Sequence, residues 1–177
     1  MKVLLHTCCA PCATHCVLTL LDEGHEVTLF YSNANIAPQE EWQKRLDAVQ
    51  ALAHHYDLPL LVDPPEHDEW LMHVASGLEE EPERGKRCEG CFRYSLVRTY
   101  TAMLKNGHDA FTTSLTVSPH KVSATIFEVG KALSATQFLA VDFKKNNGFK
   151  HSLELTEKLG LYRQSYCGCE FSIKPVL

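Results

Sequence analysis

The sequence predicts an α/β domain built on a parallel sheet with helices on both faces. Two observations carry this reading. Short apolar runs alternate with longer amphipathic stretches along the whole chain, the pattern of a sheet whose strands are joined by crossover helices. The chain has 177 residues, 45% hydrophobic and 22% charged, a size that fits one domain (1–177) with a proper core.

The elements follow in order. Val3 to Thr7 (VLLHT) reads as a short buried strand. Pro11 sits where a first helical turn tolerates a missing N–H, and a helix runs to about Asp22, closed by Gly24. Val27 to Tyr31 is a second strand, followed by the polar loop SNANIAP and a helix from about Gln39 to Tyr56. Pro59 opens a third strand, PLLVD, and Asp68 to Ser76 is helical. GLEEEPERGK reads as an exposed acidic linker before a long helix from Cys88 to about Lys105, ended by Asn106-Gly107. Ala110 to Leu115 is a fourth strand, and Ser118-Pro119 starts a helix through about Leu133. Phe138 to Asp142 reads as a fifth strand, KKNNGFKHS as a loop, and Leu153 to Leu159 as a short helix before an irregular tail.

In such a sheet the ligand site lies beyond the carboxyl ends of the strands. Cysteines fall there. Cys8, Cys9, Cys12 and Cys16 lie in HTCCAPCATHC, Cys88 and Cys91 in CEGC, Cys167 and Cys169 in CGC. Three clusters far apart in sequence imply thiolates gathered in one place, and so many imply a metal centre of iron–sulfur character. Structural zinc is the main alternative, since C-x-x-C is a common zinc half-site, but one tetrahedral zinc needs only four ligands. Cys16, one turn after Cys12, reads as a small buried apolar side chain. Disulfides require an oxidising compartment. The apolar run in MKVLLHTCC is too short for a signal peptide, and no stretch approaches a membrane span. The expected setting is cytoplasmic, with reduced thiols and no membrane partner.

Charge is unevenly spread. Residues 1–83 hold 3 basic and 15 acidic side chains, residues 84–177 hold 14 basic and 7 acidic. The formal net charge of −5 speaks weakly against a nucleic-acid partner, whereas this asymmetry allows a basic face.

Taken together, KVLLHTCCAPCA, the Tyr31 to Pro38 stretch, Glu41 with Arg45, CEGCFRYSL, FTTSLTVSPHK, DFKKNNG and YRQSYCGCEFS resemble the QueH-type epoxyqueuosine reductases nearly end to end. That resemblance implies a Rossmann-like fold akin to the adenine-nucleotide alpha-hydrolase group. It also implies reduction of epoxyqueuosine to queuosine at the wobble position of tRNA, the last step of queuosine biosynthesis. The centre it implies is a 4Fe–4S cluster beside a separate iron, one moving electrons singly and the other acting as a Lewis acid. The partners would be tRNA carrying epoxyqueuosine in its anticodon and an external one-electron donor. The family pattern often has Asp where this chain has Cys12, so the ligand here would be a softer thiolate.

On this resemblance Cys9, Cys88, Cys91 and Cys169 are expected to hold the cluster, and Cys8, Cys12 and Cys167 the lone iron. Tyr31, His120 and Tyr166 are candidate proton donors, with His6 and Tyr162 also near the inferred face. Asn33, Arg93, Thr113, Ser118, Lys121, Lys144 and Arg163 are the candidate substrate-binding residues, with Arg84, Lys86, Arg87, Lys145 and Lys150 as further phosphate contacts. Tyr162, Arg163 and Tyr166 are placed to meet a splayed base, or to pack the tail on the sheet. A zinc-bound RNA-binding module without redox chemistry is the competing class. An ATP-dependent tRNA-thiolation relative would need a glycine-rich phosphate loop after the first strand, and HTCCAPC has no glycine. A thiol–disulfide oxidoreductase would leave most of the cysteines unexplained.

Overall fold

Four strands pair in parallel in the order β3-β2-β1-β4, where β1 is Lys2–His6, β2 Glu26–Tyr31, β3 Leu60–Val62 and β4 Ala110–Thr113. The computed structural model describes residues 1–173. Six helices accompany the sheet among these residues: α1 (Ala10–Asp22), α2 (Gln39–His55), α3 (His67–Trp70), α4 (Lys86–Lys105), α5 (Ser123–Leu133) and α6 (Gly148–Lys158).

The central strand is apolar on both faces because each face is covered. Side chains alternate across the sheet. Val3 and Leu5 join Leu29 and Tyr31 in a core with Val17 and Leu20 of α1 and Trp42, Val49 and Leu52 of α2. Leu4 points the other way, joining Phe30, Phe111, Leu96 and Met103 of α4 and Ile126 of α5. α6 packs beside α1, where Thr14 donates to the Ser152 carbonyl at 3.3 Å.

Three expectations are corrected. The fifth strand is reduced to one bridge, Phe111 to Phe138. Beyond it the Leu139 and Val141 carbonyls accept from the hydroxyls of Thr112 and Thr116, which replace the ladder. The helix expected from Ser118 begins only at Ser123, and a short 3₁₀ turn, Ser114–Val117, follows β4 instead. The last helix starts earlier than expected, at Gly148, behind Asn146 and Asn147 in left-handed conformation. A β-carbon on Gly148 would meet the Phe143 carbonyl at 1.8 Å, so only glycine fits there.

Leu5 is wholly buried at the centre of the sheet. Leu5→Ala is expected to cost about 2–5 kcal/mol, measured as a lower urea midpoint with an unchanged denaturant slope.

Candidate metal centre

The carboxyl ends of β1 and β4 open on a cavity of about 800 Å³. Its walls carry Cys8 and Cys12 from the β1–α1 turn, Cys88 and Cys91 from the first turns of α4, and Cys167 from the tail. All eight cysteines are free thiols. Cys16 is fully buried behind the site, and its thiol donates to the Cys12 carbonyl at 3.1 Å.

The tightest group is Cys8, Cys9 and Cys12, whose sulfurs all lie within 4.8 Å of one another. Local structure enforces this. Cys9 is the N-cap of α1, and its sulfur accepts from the Cys12 N–H at 3.4 Å. Ser114, just after β4, receives the Cys8 N–H at 3.2 Å and donates its hydroxyl to the Cys8 sulfur at 3.4 Å. Hydrogen bonds from Cys12 and Cys9 hold the Cys8 thiol well below its ordinary pKa, whereas burial pushes Cys9 up to about 12. The Cys8–Cys9 sulfur separation is 3.8 Å. A tetrahedral thiolate site with metal–sulfur bonds of about 2.3 Å sets neighbouring sulfurs about 3.8 Å apart, so this donor set fits a thiophilic metal. Cys9 thus sits with Cys8 and Cys12 and is shut off from the cavity, at 1% exposure.

The other cysteines are held by different parts of the chain. The Arg84 N–H donates to the Cys88 sulfur at 3.2 Å. Cys91 and Cys169 pack on the Trp70 cluster. The tail is gripped by Arg45, which is 2% exposed. Its Nε donates to Glu41 at 2.7 Å, Nη1 to the Cys167 carbonyl at 2.7 Å and Nη2 to the Tyr166 carbonyl at 3.1 Å. Glu41 also accepts from the Tyr162 hydroxyl at 2.7 Å. The glycine between the tail cysteines lies close to the loop after β2: a β-carbon on Gly168 would sit 2.7 Å from Asn35 Nδ2, which would have to shift.

Several expected site residues line the cavity: Asn33, Ser118, His120, Lys121, Arg163 and Tyr166. Asn33 is tied to the Thr7 carbonyl at 2.9 Å. His120 is exposed, with Nδ1 facing the Arg84 guanidinium at 3.2 Å. The Tyr166 hydroxyl donates to the Ala37 carbonyl, and its ring lies 5.2 Å from the Arg45 guanidinium. Lys121 is half-buried, and nearby thiolates, Cys167 and Cys8 foremost, raise its pKa against burial. His6 also reaches the cavity. Its Nε2–H donates to the Ser32 carbonyl at 3.1 Å and its Nδ1 accepts from Thr113 at 2.9 Å. Burial lowers its pKa, so it is neutral.

Other expected residues do not line the cavity. Tyr31 is fully buried under α2, its hydroxyl donating to the Trp42 carbonyl at 2.8 Å. Thr113 spends its hydroxyl on His6 and the Leu115 N–H. Lys144 is tied to the Lys121 carbonyl at 2.9 Å and to Asp142 at 3.6 Å. Arg87 is 2% exposed and donates to the carbonyls of Leu78, Glu79 and Glu81, so it orders the acidic linker rather than meeting phosphate. Arg93 is exposed but does not line the cavity. Sequence reasoning missed Gln164, whose Nε2 donates to the Cys9 sulfur at 2.9 Å. Only the Glu41–Arg45 spacing of four on one helix face was a legible signal.

The family described as Epoxyqueuosine reductase QueH matches residues 3–175. A protein of that name from Streptococcus pyogenes serotype M1 is 39% identical, over 98% of this chain and 71% of its own. One from Staphylococcus epidermidis is 33% identical over 97% and 76%, and one from Thermotoga maritima 34% over 97% and 90%. None of the described helices is long and apolar enough to cross a membrane.

Arg45→Ala removes the partner of two tail carbonyls and leaves the buried Glu41 carboxylate with the Tyr162 hydroxyl but no compensating charge. The expected loss is about 3–5 kcal/mol, with faster proteolytic cleavage across residues 162–169 resolved by mass spectrometry. Arg45→Lys keeps the charge but not the three-way fork and is expected to fall between.

Proposed function

The chain belongs to the QueH family of epoxyqueuosine reductases, an oxidoreductase family, and from that premise we propose that it reduces epoxyqueuosine to queuosine at the wobble position of tRNA. The observation that carries the reading is the convergence of cysteines from the front, middle and tail of the chain on one cavity at the rim of the sheet. The seven clustered cysteines (Cys8, Cys9, Cys12, Cys88, Cys91, Cys167 and Cys169) would hold a 4Fe–4S cluster and an adjacent iron. Bound there, this centre supplies single electrons and a Lewis-acid position.

The protein's own residues do the rest. A duplex-stacked base cannot reach so recessed a site, so the wobble nucleotide must swing out of the anticodon stack. Arg84 and Arg163 stand in the cavity wall as contacts for the phosphates, and such contacts make affinity fall with salt. Val122, Phe149 and Ile173 supply apolar wall against which a base and a cyclopentane ring can lie.

Deoxygenation takes two electrons from the external donor and two protons. Both epoxide C–O bonds break, a carbon–carbon double bond forms, and the oxygen leaves as water. The cavity narrows the choice of proton donor. His6 is neutral, with both ring nitrogens engaged. The hydroxyls of Tyr162 and Tyr166 are committed to Glu41 and Ala37. Guanidinium groups do not release protons. Lys121 Nζ is the ammonium facing the sulfurs, and it is the group we assign to deliver one proton to the departing oxygen. His120, at the exposed edge, is placed for exchange with solvent.

Anaerobically reconstituted protein, incubated with epoxyqueuosine-containing tRNA and a one-electron reductant, is expected to yield queuosine by nucleoside mass spectrometry, and Cys88→Ala to yield none. Colourless protein carrying stoichiometric zinc and giving no conversion overturns the reading in favour of a non-redox RNA-binding module. Lys121→Met is expected to slow single turnover by roughly 10²–10⁴-fold with iron content unchanged. Full rescue by Lys121→Arg, which carries charge but gives up no proton, would show that the ammonium acts by charge alone.

A further inference from the structure

One side-chain N–H donor stands behind the sulfurs with no other employment. Gln164 donates from Nε2 to the Cys9 sulfur at 2.9 Å, while its Oε1 is buried without any partner. An amide that leaves its carbonyl unpaired in order to aim its N–H at sulfur is oriented by that sulfur, since buried polar atoms are otherwise almost always paired.

A neutral thiol is a weak acceptor, so this arrangement is poorly satisfied with Cys9 protonated. A metal-held thiolate is a strong one. An N–H directed at a ligand sulfur draws electron density from it, which favours the more negative, reduced state of the metal and raises the potential. We propose that Gln164, through its N–H on the Cys9 sulfur, is a positioning donor that raises the reduction potential of the metal centre. This rests on the thiolate-held redox centre proposed above.

The test is a spectroelectrochemical titration of the anaerobically reconstituted full chain, followed by its visible absorption. Gln164→Leu and Gln164→Met keep bulk and lose the donor. Each is expected to retain iron and to shift the midpoint to more negative values, by roughly a tenfold change in the oxidised-to-reduced ratio, about 59 mV for a one-electron couple. Variants that retain iron and titrate with the wild type overturn the inference. Should one of the two fail to fold, the other decides alone. Loss of iron from every variant that folds also overturns it, because the amide would then be holding the sulfur rather than tuning it. Wild-type protein with no reversible signal sinks the redox reading itself, and is told apart because no variant is needed to see it.

Discussion

The place of the tail at the rim of the sheet depends on a buried guanidinium. Arg45 rises from the second helix and ties down the backbone immediately before and at Cys167, while Glu41 balances its charge and collects the Tyr162 hydroxyl. A cation with 2% exposure is tolerable only because its nitrogens meet a carboxylate and two carbonyls in a planar fork, a geometry an ammonium cannot copy. Among the described residues the tail has almost no regular structure of its own beyond a 3₁₀ turn at Glu170–Ser172. Cys167 reaches the cavity because the helix beside it holds the chain there.

The second constraint is charge. Thiolates crowded within a few ångströms repel one another, and the polypeptide answers before any metal arrives. The start of the first helix lends a backbone N–H to Cys9, Ser114 hydrogen-bonds to Cys8, and the loop before the fourth helix turns an N–H on Cys88. Lys121 contributes a full positive charge, and Lys144 fixes the turn carrying it by binding its carbonyl. Against the cost of burial, the nearby thiolates, Cys167 and Cys8 foremost, keep that ammonium protonated.

Much of this was readable from residue order. Alternating apolar runs gave the parallel sheet because strands covered on both faces are apolar throughout, and the cysteine clusters pointed to a shared centre because one tetrahedral zinc needs only four thiols. The fifth strand was not readable. Apolar runs such as Phe138 to Asp142 look alike whether the backbone continues a ladder or is captured by hydroxyls, and here Thr112 and Thr116 capture it. Polar residues in family-like strings were equally ambiguous. Thr113, Lys144 and Arg87 look like ligand contacts in a linear string, yet each is spent on the protein itself.

Residue type and spacing along a strand or helix therefore settled a one-sheet α/β architecture with cysteines gathered at the ends of its strands. The resemblance of whole motifs, in order along the chain, pointed to the family. Tertiary structure decided which side chains are available to a substrate, because availability is what remains after every buried polar atom has found a partner. It placed Cys9 behind Cys8 and Cys12, withdrew Tyr31 beneath the second helix, left Lys121 in the cavity wall, and set the Gln164 amide on the Cys9 sulfur from 155 residues away. Hydrogen-bond partners separated by a hundred residues or more leave no periodic trace, so only the folded chain reveals them.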